Sequence, residues 1–201
     1  MNTLRPTVPL LLIASVVVVS LSAWARPSLM SALILNPFRV RRRSELHRLL
    51  TAGWIHADPT HLLFNMLTLY FFADQVAKAL GPSRFLLLYF SAVVVAHLPT
   101  TLRRMNDPRY NSLGASGAVA AVIFSGILLY PEMKLSLFFL PIGVPGFVYG
   151  IGYLAYSAYS SYRARDGVNH DAHFAGAIYG ALLTFALEPD RVTRAVHRFV
   201  G

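Results

Sequence analysis

The chain alternates between long apolar stretches without charge and short segments that contain the charged residues. Four stretches contain no Asp, Glu, Lys or Arg: residues 6–25, 85–102, 110–131 and 135–162. A helix that crosses a membrane needs about 20 mostly apolar residues, with a range of about 17–25. The first three stretches therefore each predict one membrane span. The fourth is too long for one span, and Pro141 and Pro145 interrupt its first half. We interpret it as an interfacial segment, residues 134–143, followed by a span over residues 146–162.

Two further stretches predict spans although charged residues lie at their ends. Residues 61–80 contain Asp74 and Lys78 near their end, where charged groups can reach the lipid headgroups. Residues 172–187 lie between Asp171 and Glu188. The sequence therefore predicts an all-α polytopic membrane protein with a bundle of six transmembrane helices. We expect a single domain over residues 1–201, whose first helix covers about residues 8–24.

The long connection after the first predicted span, residues 26–60, is itself partly apolar. Residues 27–38 are too short to cross a membrane, so we expect them to lie along its surface. The first span has a second interpretation as a secretory signal peptide. Arg5 precedes its apolar core, and residues 23–25 (Ala-Trp-Ala) resemble a cleavage site. We adopt the retained helix, because such triplets of small residues arise easily by chance.

The composition strengthens the membrane interpretation and excludes several classes of protein. Hydrophobic residues make up 55% of the chain and charged residues 13%, against about 25% charged residues in a typical soluble domain. This balance argues against a soluble enzyme, a disordered chain and a coiled coil. The chain has no cysteine, which excludes disulfides and a thiolate metal site. Its net charge of +9 comes mostly from arginines in short runs, which we assign to contact with the lipid bilayer and not with nucleic acid.

Strongly polar residues within the predicted spans gather near one membrane surface. Spans two, four and six enter the membrane from the same side, because spans three and five return between them. His61 and Asn65 lie at the start of span two, Ser116 in the first turns of span four, and His173 at the start of span six. At 1.5 Å per residue, all four lie within about 10 Å of that surface. Polar side chains are costly inside a membrane and mark a functional site.

Ser116 and His173 have the chemistry of a nucleophile and its base. A serine hydroxyl is a poor nucleophile until a base takes its proton, and an imidazole within hydrogen-bond reach is the usual base. Small residues near both positions would let the two helices approach closely: Gly114, Gly117, Gly176 and Gly180. The alternative is a packing patch of small residues without a catalytic role. Asp171 faces away from His173 on a helix, so the pair would act as a dyad.

His61 and Asn65 are candidates for an oxyanion hole. They are four residues apart and therefore share one helix face. Both side chains can donate hydrogen bonds, and with the backbone N–H of Ser116 they would bind a developing oxyanion. The alternative for Asn65 is a hydrogen bond between helices. His97, at the end of span three on the same side, would support either this site or the preceding loop.

At these residues the chain resembles the rhomboid family of intramembrane serine proteases. The matching segments are His56 with His61-Leu62-Leu63-Phe64-Asn65, then Gly114-Ala115-Ser116-Gly117, then Ala172-His173-Phe174-Ala175-Gly176 with Gly180. The resemblance covers roughly residues 44–187. It implies a six-helix core, a membrane-inserted loop after the first helix, and a water-filled active site that opens to one surface.

The resemblance also implies a role for each site residue. Ser116 is the expected nucleophile and His173 the expected base. His61, Asn65 and the Ser116 amide are expected to bind the oxyanion. The family needs neither a metal nor another cofactor, and its substrates are transmembrane proteins.

Three positions depart from the family's pattern. They are Ala120, where many bacterial members have an aromatic residue under the histidine, His47, which replaces a tryptophan before Arg48, and Ala52, which replaces a loop histidine. None of these changes removes a reacting group. Because Ala120 is small, the support of His173 must come from another residue.

The distribution of Lys and Arg conflicts with the topology that the family implies. Bacterial members place the N-terminus in the cytoplasm, which puts the Ser116 end outside. Seven of the eighteen basic residues lie on the N-terminal side: Arg5, Lys78, Arg84, Lys134, Arg191, Arg194 and Arg198. The other eleven lie on the Ser116 side, which the positive-inside rule would place in the cytoplasm. We follow the family and expect a multi-pass protein of the bacterial inner membrane with a cytoplasmic N-terminus.

The sequence thus predicts an intramembrane serine endopeptidase that cleaves in or near the transmembrane segments of membrane proteins. A second hypothesis is a non-catalytic rhomboid-like protein that binds transmembrane helices. A third is a small transporter or channel, which predicts polar residues near mid-span. The polar residues of this chain lie near one surface instead, which argues against the third hypothesis.

Overall fold

The fold consists almost entirely of helices. A computed structural model describes residues 7–136, 143–163 and 167–200. The helices of these residues are α1 (Val8–Ala25), α2 (Pro27–Leu33), α3 (Pro37–Arg43), α4 (Arg48–Thr51), α5 (Pro59–Leu80), α6 (Pro82–Arg104), α7 (Ser116–Leu129), α8 (Gly146–Arg163), α9 (His170–Leu187) and α10 (Pro189–Val200). A 3₁₀ turn over Ala52–Trp54 follows α4. Two short antiparallel strands, β1 (Lys134–Ser136) and β2 (Gly143–Pro145), precede α8.

Six of these helices coincide with the six predicted spans: α1, α5, α6, α7, α8 and α9. The prediction of an all-α fold is therefore confirmed. Proline stands in the first turn of α1, α5 and α6, where its missing N–H costs no intrahelical hydrogen bond. Between α5 and α6, Gly81 adopts φ +82°, a conformation that glycine tolerates and that ends α5.

The span predicted over residues 110–131 is wrong at its N-terminal end. The charge-free stretch begins at residue 110, but α7 begins at Ser116 and has 14 residues, or about 21 Å. The preceding residues bind the loop after α1 instead. Leu35 and Ser112 exchange backbone hydrogen bonds of 3.0 Å in both directions, and the Gly114 N–H donates to the Ala52 carbonyl at 2.9 Å. These bonds hold the segment before Ser116 in an extended conformation.

A buried arginine organises the loop between α1 and α5. Arg48 is 2% exposed, and its guanidinium donates to the carbonyl oxygens of Ser31 and Ile34 at 2.8 Å and 2.7 Å. It also pairs with Glu45. The hydrogen bond from Arg48 is the main cause that lowers the pKa of Glu45. The loop is thus a folded unit of short helices, and its predicted contact with the membrane stays a prediction.

The core lies around α7, which packs against α5, α6 and α9. Twelve of its fourteen residues are buried, including Ala121 and Val122 at 0% exposure. The helix is apolar on all sides, as expected of a central helix. α1 packs against α5 on the outside of the bundle, and α8 packs mainly against α9. Ser116 therefore begins the most enclosed helix of the fold.

By length and composition alone, two of the described helices can cross a membrane, namely α1 and α6, with mean hydropathies of 2.3 and 1.8. α7 is apolar but shorter, and α5, α8 and α9 do not pass the same test. The six-span count therefore stays a prediction. A signal sequence has the same character as α1, although α1 here packs against α5.

Two other regions bear on the sequence predictions. The predicted interfacial segment, residues 134–143, begins with strand β1 and ends at the first residue of strand β2, and these two strands pair. Residues 137–142, which include Pro141, lie outside the described residues. Arg5 lies outside them as well. The sequence analysis did not predict α10, a strongly amphipathic helix that packs against α7 and α9.

Candidate active site

Ser116 and His173 lie at the starts of two helices that pack against each other. Ser116 is the first residue of α7, and His173 lies in the first turn of α9. The side chain of Asn169 caps α9 by accepting the Ala172 N–H at 3.1 Å, as asparagine commonly does at a helix N-terminus. Asn169 also accepts a 2.7 Å hydrogen bond from Thr100 of α6. This cap fixes the point from which His173 projects.

The two side chains are in hydrogen-bond contact. Nε2 of His173 lies 2.7 Å from Oγ of Ser116. A neutral imidazole with its proton on Nδ1 can accept the serine hydroxyl proton in this geometry. Asp171 is engaged elsewhere, because its carboxylate accepts from Ser161 and pairs with Arg103 at 3.0 Å. The arrangement has the geometry of a nucleophile with an adjacent base.

The two candidate oxyanion donors lie on the same cavity as Ser116. His61 and Asn65 belong to the first two turns of α5, which Asp58 caps by accepting the His61 N–H at 2.8 Å. Nδ2 of Asn65 donates to the His61 carbonyl oxygen at 2.9 Å. One of the two amide hydrogens of Asn65 therefore bonds within its own helix. This bond is not the bond between helices that was the alternative for Asn65.

Gly114 lets the segment before Ser116 pass beside His61. Its φ is +115°, a conformation that a residue with a side chain rarely adopts. A Cβ at this position would lie 2.6 Å from Cε1 of the His61 imidazole. Glycine is therefore required here by both the backbone conformation and the space available.

The other three predicted packing glycines lie where α7 and α9 approach each other. A Cβ on Gly117 would lie 3.0 Å from the Ala172 carbonyl oxygen. A Cβ on Gly176 or Gly180 would overlap the backbone of α7, at Gly117 and Ala121 respectively. Further along, Thr184 donates to Ser125 at 2.7 Å. The absence of side chains brings the two backbones close enough for His173 to reach Ser116.

His56 links α1 to the segment before the serine. Its Nε2 accepts the Ala115 N–H at 3.4 Å, and its Nδ1 lies 3.0 Å from the Ser20 hydroxyl. Because Ser20 donates to the Trp54 carbonyl at 2.8 Å, we assign the Nδ1 proton to the bond with Ser20. Burial lowers the pKa of His56 to about 3, so the ring is neutral near pH 7. Sequence reasoning quoted His56 only as part of a motif and did not find this connection.

These side chains surround a cavity of about 1000 Å³. Ser116, His173, His61 and Asn65 all line it. Its walls come from the N-terminal part of α5 on one side and from α8 on the other, and α5 and α8 have little direct contact. The cavity thus separates two long helices next to the Ser116 hydroxyl.

Three residues near the site were interpreted incompletely or missed. Nδ1 of His97 donates a 2.9 Å hydrogen bond to the Leu49 carbonyl oxygen, so His97 supports the loop, which was one of its two interpretations. Asn169 was missed, although its residue type before an apolar stretch signals a helix cap. Tyr153 of α8 was also missed, and its ring stacks on His173 with centroids 6.2 Å apart. Its spacing of four residues from Tyr149 was the available signal.

The described residues contain no cluster of side chains suited to bind a metal ion. No group of three or more His, Cys, Asp or Glu side chains in residues 7–136, 143–163 and 167–200 could hold a metal ion.

Comparison with known proteins identifies the family. The family model of the Rhomboid domain matches residues 43–189, which is most of the chain. The chain therefore belongs to the rhomboid family and is an integral membrane protein.

Three relatives illustrate this membership. RHOMBOID-like protein 12, mitochondrial, of Arabidopsis thaliana is 32% identical over 157 residues, which cover 70% of this chain and 46% of the relative. The human presenilin-associated rhomboid-like protein, mitochondrial, is 30% identical over 169 residues, covering 78% and 42%. YdcA of Bacillus subtilis, named as a candidate rhomboid protease, is 32% identical over 141 residues, covering 70% and 67%. This chain thus spans less than half the length of the two mitochondrial relatives.

Proposed function

We propose that this protein is an intramembrane serine endopeptidase. It would hydrolyse peptide bonds in or near transmembrane segments of other membrane proteins, with Ser116 as nucleophile and His173 as base. The observation that supports this proposal most is the 2.7 Å contact between His173 Nε2 and Ser116 Oγ on the wall of the cavity. Membership of the rhomboid family and the name of the Bacillus relative support the same activity.

The proposed reaction begins with attack by Ser116 on the scissile carbonyl. His173 Nε2 takes the hydroxyl proton as Oγ bonds to the carbonyl carbon, and the carbonyl oxygen becomes an oxyanion. The backbone N–H of Ser116, at the start of α7, is free of the intrahelical ladder and would donate to this oxygen together with His61 and Asn65. The imidazolium then protonates the leaving amine, and the C–N bond breaks.

Water completes the cycle. His173, neutral again, takes a proton from a water molecule that attacks the acyl-enzyme ester. The second oxyanion collapses, the C–O bond to Ser116 breaks, and the proton on His173 returns to the serine oxygen. The cavity of about 1000 Å³ beside Ser116 has room for this water, which the surrounding lipid would not supply.

The space between α5 and α8 supports entry of the substrate from the side. A peptide bond within a helix is shielded by its own hydrogen bonds, so a transmembrane segment must unfold locally before attack. The cavity lies between these two helices, and α8 begins after Pro145 and at Gly146. Gly150 and Gly152 lie inside α8, the helix on one side of this cavity. Only Gly150 faces a neighbour, since a Cβ there would lie 3.5 Å from Phe124, and Gly152 faces open space.

The membrane that holds the protein is part of the same proposal. We propose the bacterial inner membrane, with the N-terminus in the cytoplasm and the Ser116 end outside. Two of the relatives described above are mitochondrial by name, and the third is from a bacterium. The Bacillus relative, of which this chain covers 67%, supports the bacterial location.

The proposal is tested by substituting each member of the reacting pair in turn. Ser116→Ala and His173→Ala, in proteoliposomes with a model single-span substrate, should each reduce cleavage below detection. Removal of either member of such a pair costs on the order of 10⁶ in kcat, and the double variant should be no worse than either single variant. A serine-reactive fluorophosphonate should label the wild-type protein and not Ser116→Ala.

Matched controls are available far from the cavity. Ser91→Ala removes a hydroxyl that bonds within its own helix, and His197→Ala removes an exposed imidazole on α10. Both should cleave at the wild-type rate. Clear cleavage by Ser116→Ala would refute the catalytic assignment. A folded wild-type protein that binds the substrate helix without cleavage or labelling would establish the non-catalytic alternative.

A further inference from the structure

Aromatic rings from α8 cover one face of the His173 imidazole. The Tyr153 ring stacks on His173 with centroids 6.2 Å apart and an interplanar angle of 24°. The Tyr149 ring stacks on Tyr153 in turn, at 5.9 Å and 25°. The rings of Tyr149, Tyr153 and His173 therefore form one continuous stack from the N-terminal half of α8 to the start of α9. At the position on α7 where many bacterial relatives have an aromatic residue, this chain has Ala120.

The same imidazole has a second aromatic neighbour, His170. His170, one turn before His173, meets it edge to face at 5.9 Å and 80°. Tyr156 of α8 packs against His170 at 5.4 Å and 84°. His170 itself is buried, at 4% exposure. The His173 ring thus has one stacked neighbour and one near-perpendicular neighbour, and residues of α8 pack against both neighbours or supply them.

We propose that Tyr153 is the positioning residue of His173, and that the helix forming one wall of the cavity is also the support of the base. This inference rests on the proposed function. Stacking limits rotation of the imidazole, so Nε2 stays directed at the Ser116 oxygen 2.7 Å away. The face of the tyrosine ring also favours the cationic imidazolium that forms when the proton is transferred.

A supporting ring on α8 has a different consequence for the base from a supporting ring on α7. Ser116 and residue 120 belong to the same rigid, buried helix, so a ring at position 120 would move with the nucleophile. Tyr153 belongs to α8, whose described packing is mainly against α9 and only weakly against α7 and α5. A displacement of α8 away from α9 therefore removes the support of the base as it widens the cavity. Opening of this wall and the reactivity of Ser116 are coupled.

The test compares variants that keep the ring with variants that remove it. Tyr153→Phe keeps the stack and loses the hydroxyl, so its kcat should stay within about twofold of wild type. Tyr153→Leu and Tyr153→Met keep much of the volume without a ring, and kcat should fall on the order of tenfold with little change in KM. Labelling of Ser116 by a small fluorophosphonate should slow by the same factor, because this reaction also needs the base but no transmembrane substrate.

A rescue variant distinguishes positioning from general stability. In the Tyr153→Leu background, Ala120→Tyr places a ring at a position of α7 that lines the same cavity as residue 153 and His173, and it should restore labelling and cleavage to within a few-fold of wild type. Tyr159→Leu is the matched control, since this tyrosine lies on the same helix and is 67% exposed. It should label and cleave at the wild-type rate. The thermal unfolding midpoints of all variants are measured in the same detergent.

The outcomes separate this inference from the proposed function. If both ring-free variants cleave slowly but label at the wild-type rate, Tyr153 contacts only the substrate and the inference is wrong. Wild-type rates in both assays for the ring-free variants refute it as well. If wild-type protein is not labelled at Ser116, the proposed function fails first and the inference falls with it. Coordinated loss in both assays, with rescue by Ala120→Tyr, supports it.

Discussion

Asn65 combines a hydrogen bond within its helix with a place on the cavity wall. Its amide donates one hydrogen to the His61 carbonyl at 2.9 Å, and the side chain is 6% exposed. That bond fixes the plane of the amide and therefore the direction of its second hydrogen. The neighbouring imidazole of His61 is held against Gly114, the residue two before Ser116. In the proposed mechanism, both donors are oriented before the substrate arrives.

The substitution Asn65→Ala measures this contribution. Loss of one oxyanion donor typically lowers kcat by on the order of 10² to 10³. Because His61 and the Ser116 amide would remain, we expect a loss near the lower end of that range, with KM little changed. Cleavage kinetics in proteoliposomes provide the measurement. An unchanged kcat together with a lower unfolding midpoint would show that Asn65 only stabilises α5.

His56 predicts a particular dependence of stability on pH. Burial lowers its pKa in the folded protein to about 3, whereas the unfolded chain has the ordinary value of about 6.5. Between these values the unfolded chain binds a proton that the folded protein does not. The contribution of His56 to stability is therefore complete above pH 6.5 and falls as the pH is lowered toward 3, by at most about 1.4 kcal/mol per unit.

The variant His56→Gln removes this titration and keeps a side chain that can both donate and accept. Unfolding midpoints in detergent should decrease between pH 7 and pH 5 more steeply for wild type than for the variant. Equal slopes for the two proteins would contradict the neutral, buried state of His56. The absolute midpoint at pH 7 reports separately on the bonds with Ser20 and Ala115.

At the scale of helices, the contact between α7 and α9 depends on glycine. A Cβ on Gly180 would overlap the backbone of Ala121, so Gly180→Ala must push the two helices apart. Overpacking of this kind typically costs about 1–3 kcal/mol, and we expect a lower unfolding midpoint. Cleavage should fall as well, since separation of the helices lengthens the contact between His173 and Ser116. Circular dichroism during heating and the cleavage assay measure the two effects.

Gly152→Ala is the matched control for this prediction. Gly152 lies inside α8 with nothing within 4 Å of its Cβ position, so alanine meets no neighbour there. Alanine also favours a helix more than glycine does, by about 0.5–1 kcal/mol. The midpoint of Gly152→Ala should equal or exceed that of wild type. Equal destabilisation by the two substitutions would show that helix approach is not the cause.

The helices were largely predictable because charge and proline are strong local signals. The spans predicted from charge and proline agree with α1, α5, α6, α8 and α9 to within a few residues. The start of α7 could not be found in this way, because residues 110–115 are uncharged yet bind the loop after α1. α10 was missed because its arginines alternate with apolar residues in an amphipathic helix, whereas the prediction sought long, mostly apolar stretches.

At the scale of the whole molecule, membrane orientation remains to be measured. The protein has no cysteine, so a single introduced thiol reports on one site. Asn106 follows α6 at the Ser116 end, and Pro82 begins α6 at the opposite end. We expect Asn106→Cys to react with an impermeant maleimide in intact cells and Pro82→Cys to react only after lysis. The reverse pattern would favour the positive-inside count over the family's topology.

The candidate site was predictable in its residue types but not in its supports. Ser116, His173, His61 and Asn65 stand out because polar residues are rare in apolar segments, and chain connectivity places them at one end of the bundle. The supports depend on how the helices rotate against one another. Tyr153 is one of several tyrosines on α8, and only the packing of α8 on α9 selects it. The bond between His56 and Ala115 likewise joins residues 59 positions apart.

The separation of Ser116 and His173 along the chain has a consequence for biosynthesis. The two residues lie 57 positions apart, on α7 and α9, and α8 lies between these helices in the chain. A nascent chain that has delivered α7 but not α9 contains the serine without its base. If Ser116 and His173 act as proposed, such a nascent chain cannot cleave the other newly made helices around it at the site of insertion. In the proposed mechanism, activity requires that α9 packs against α7, so proteolysis can begin only after α9 has been inserted.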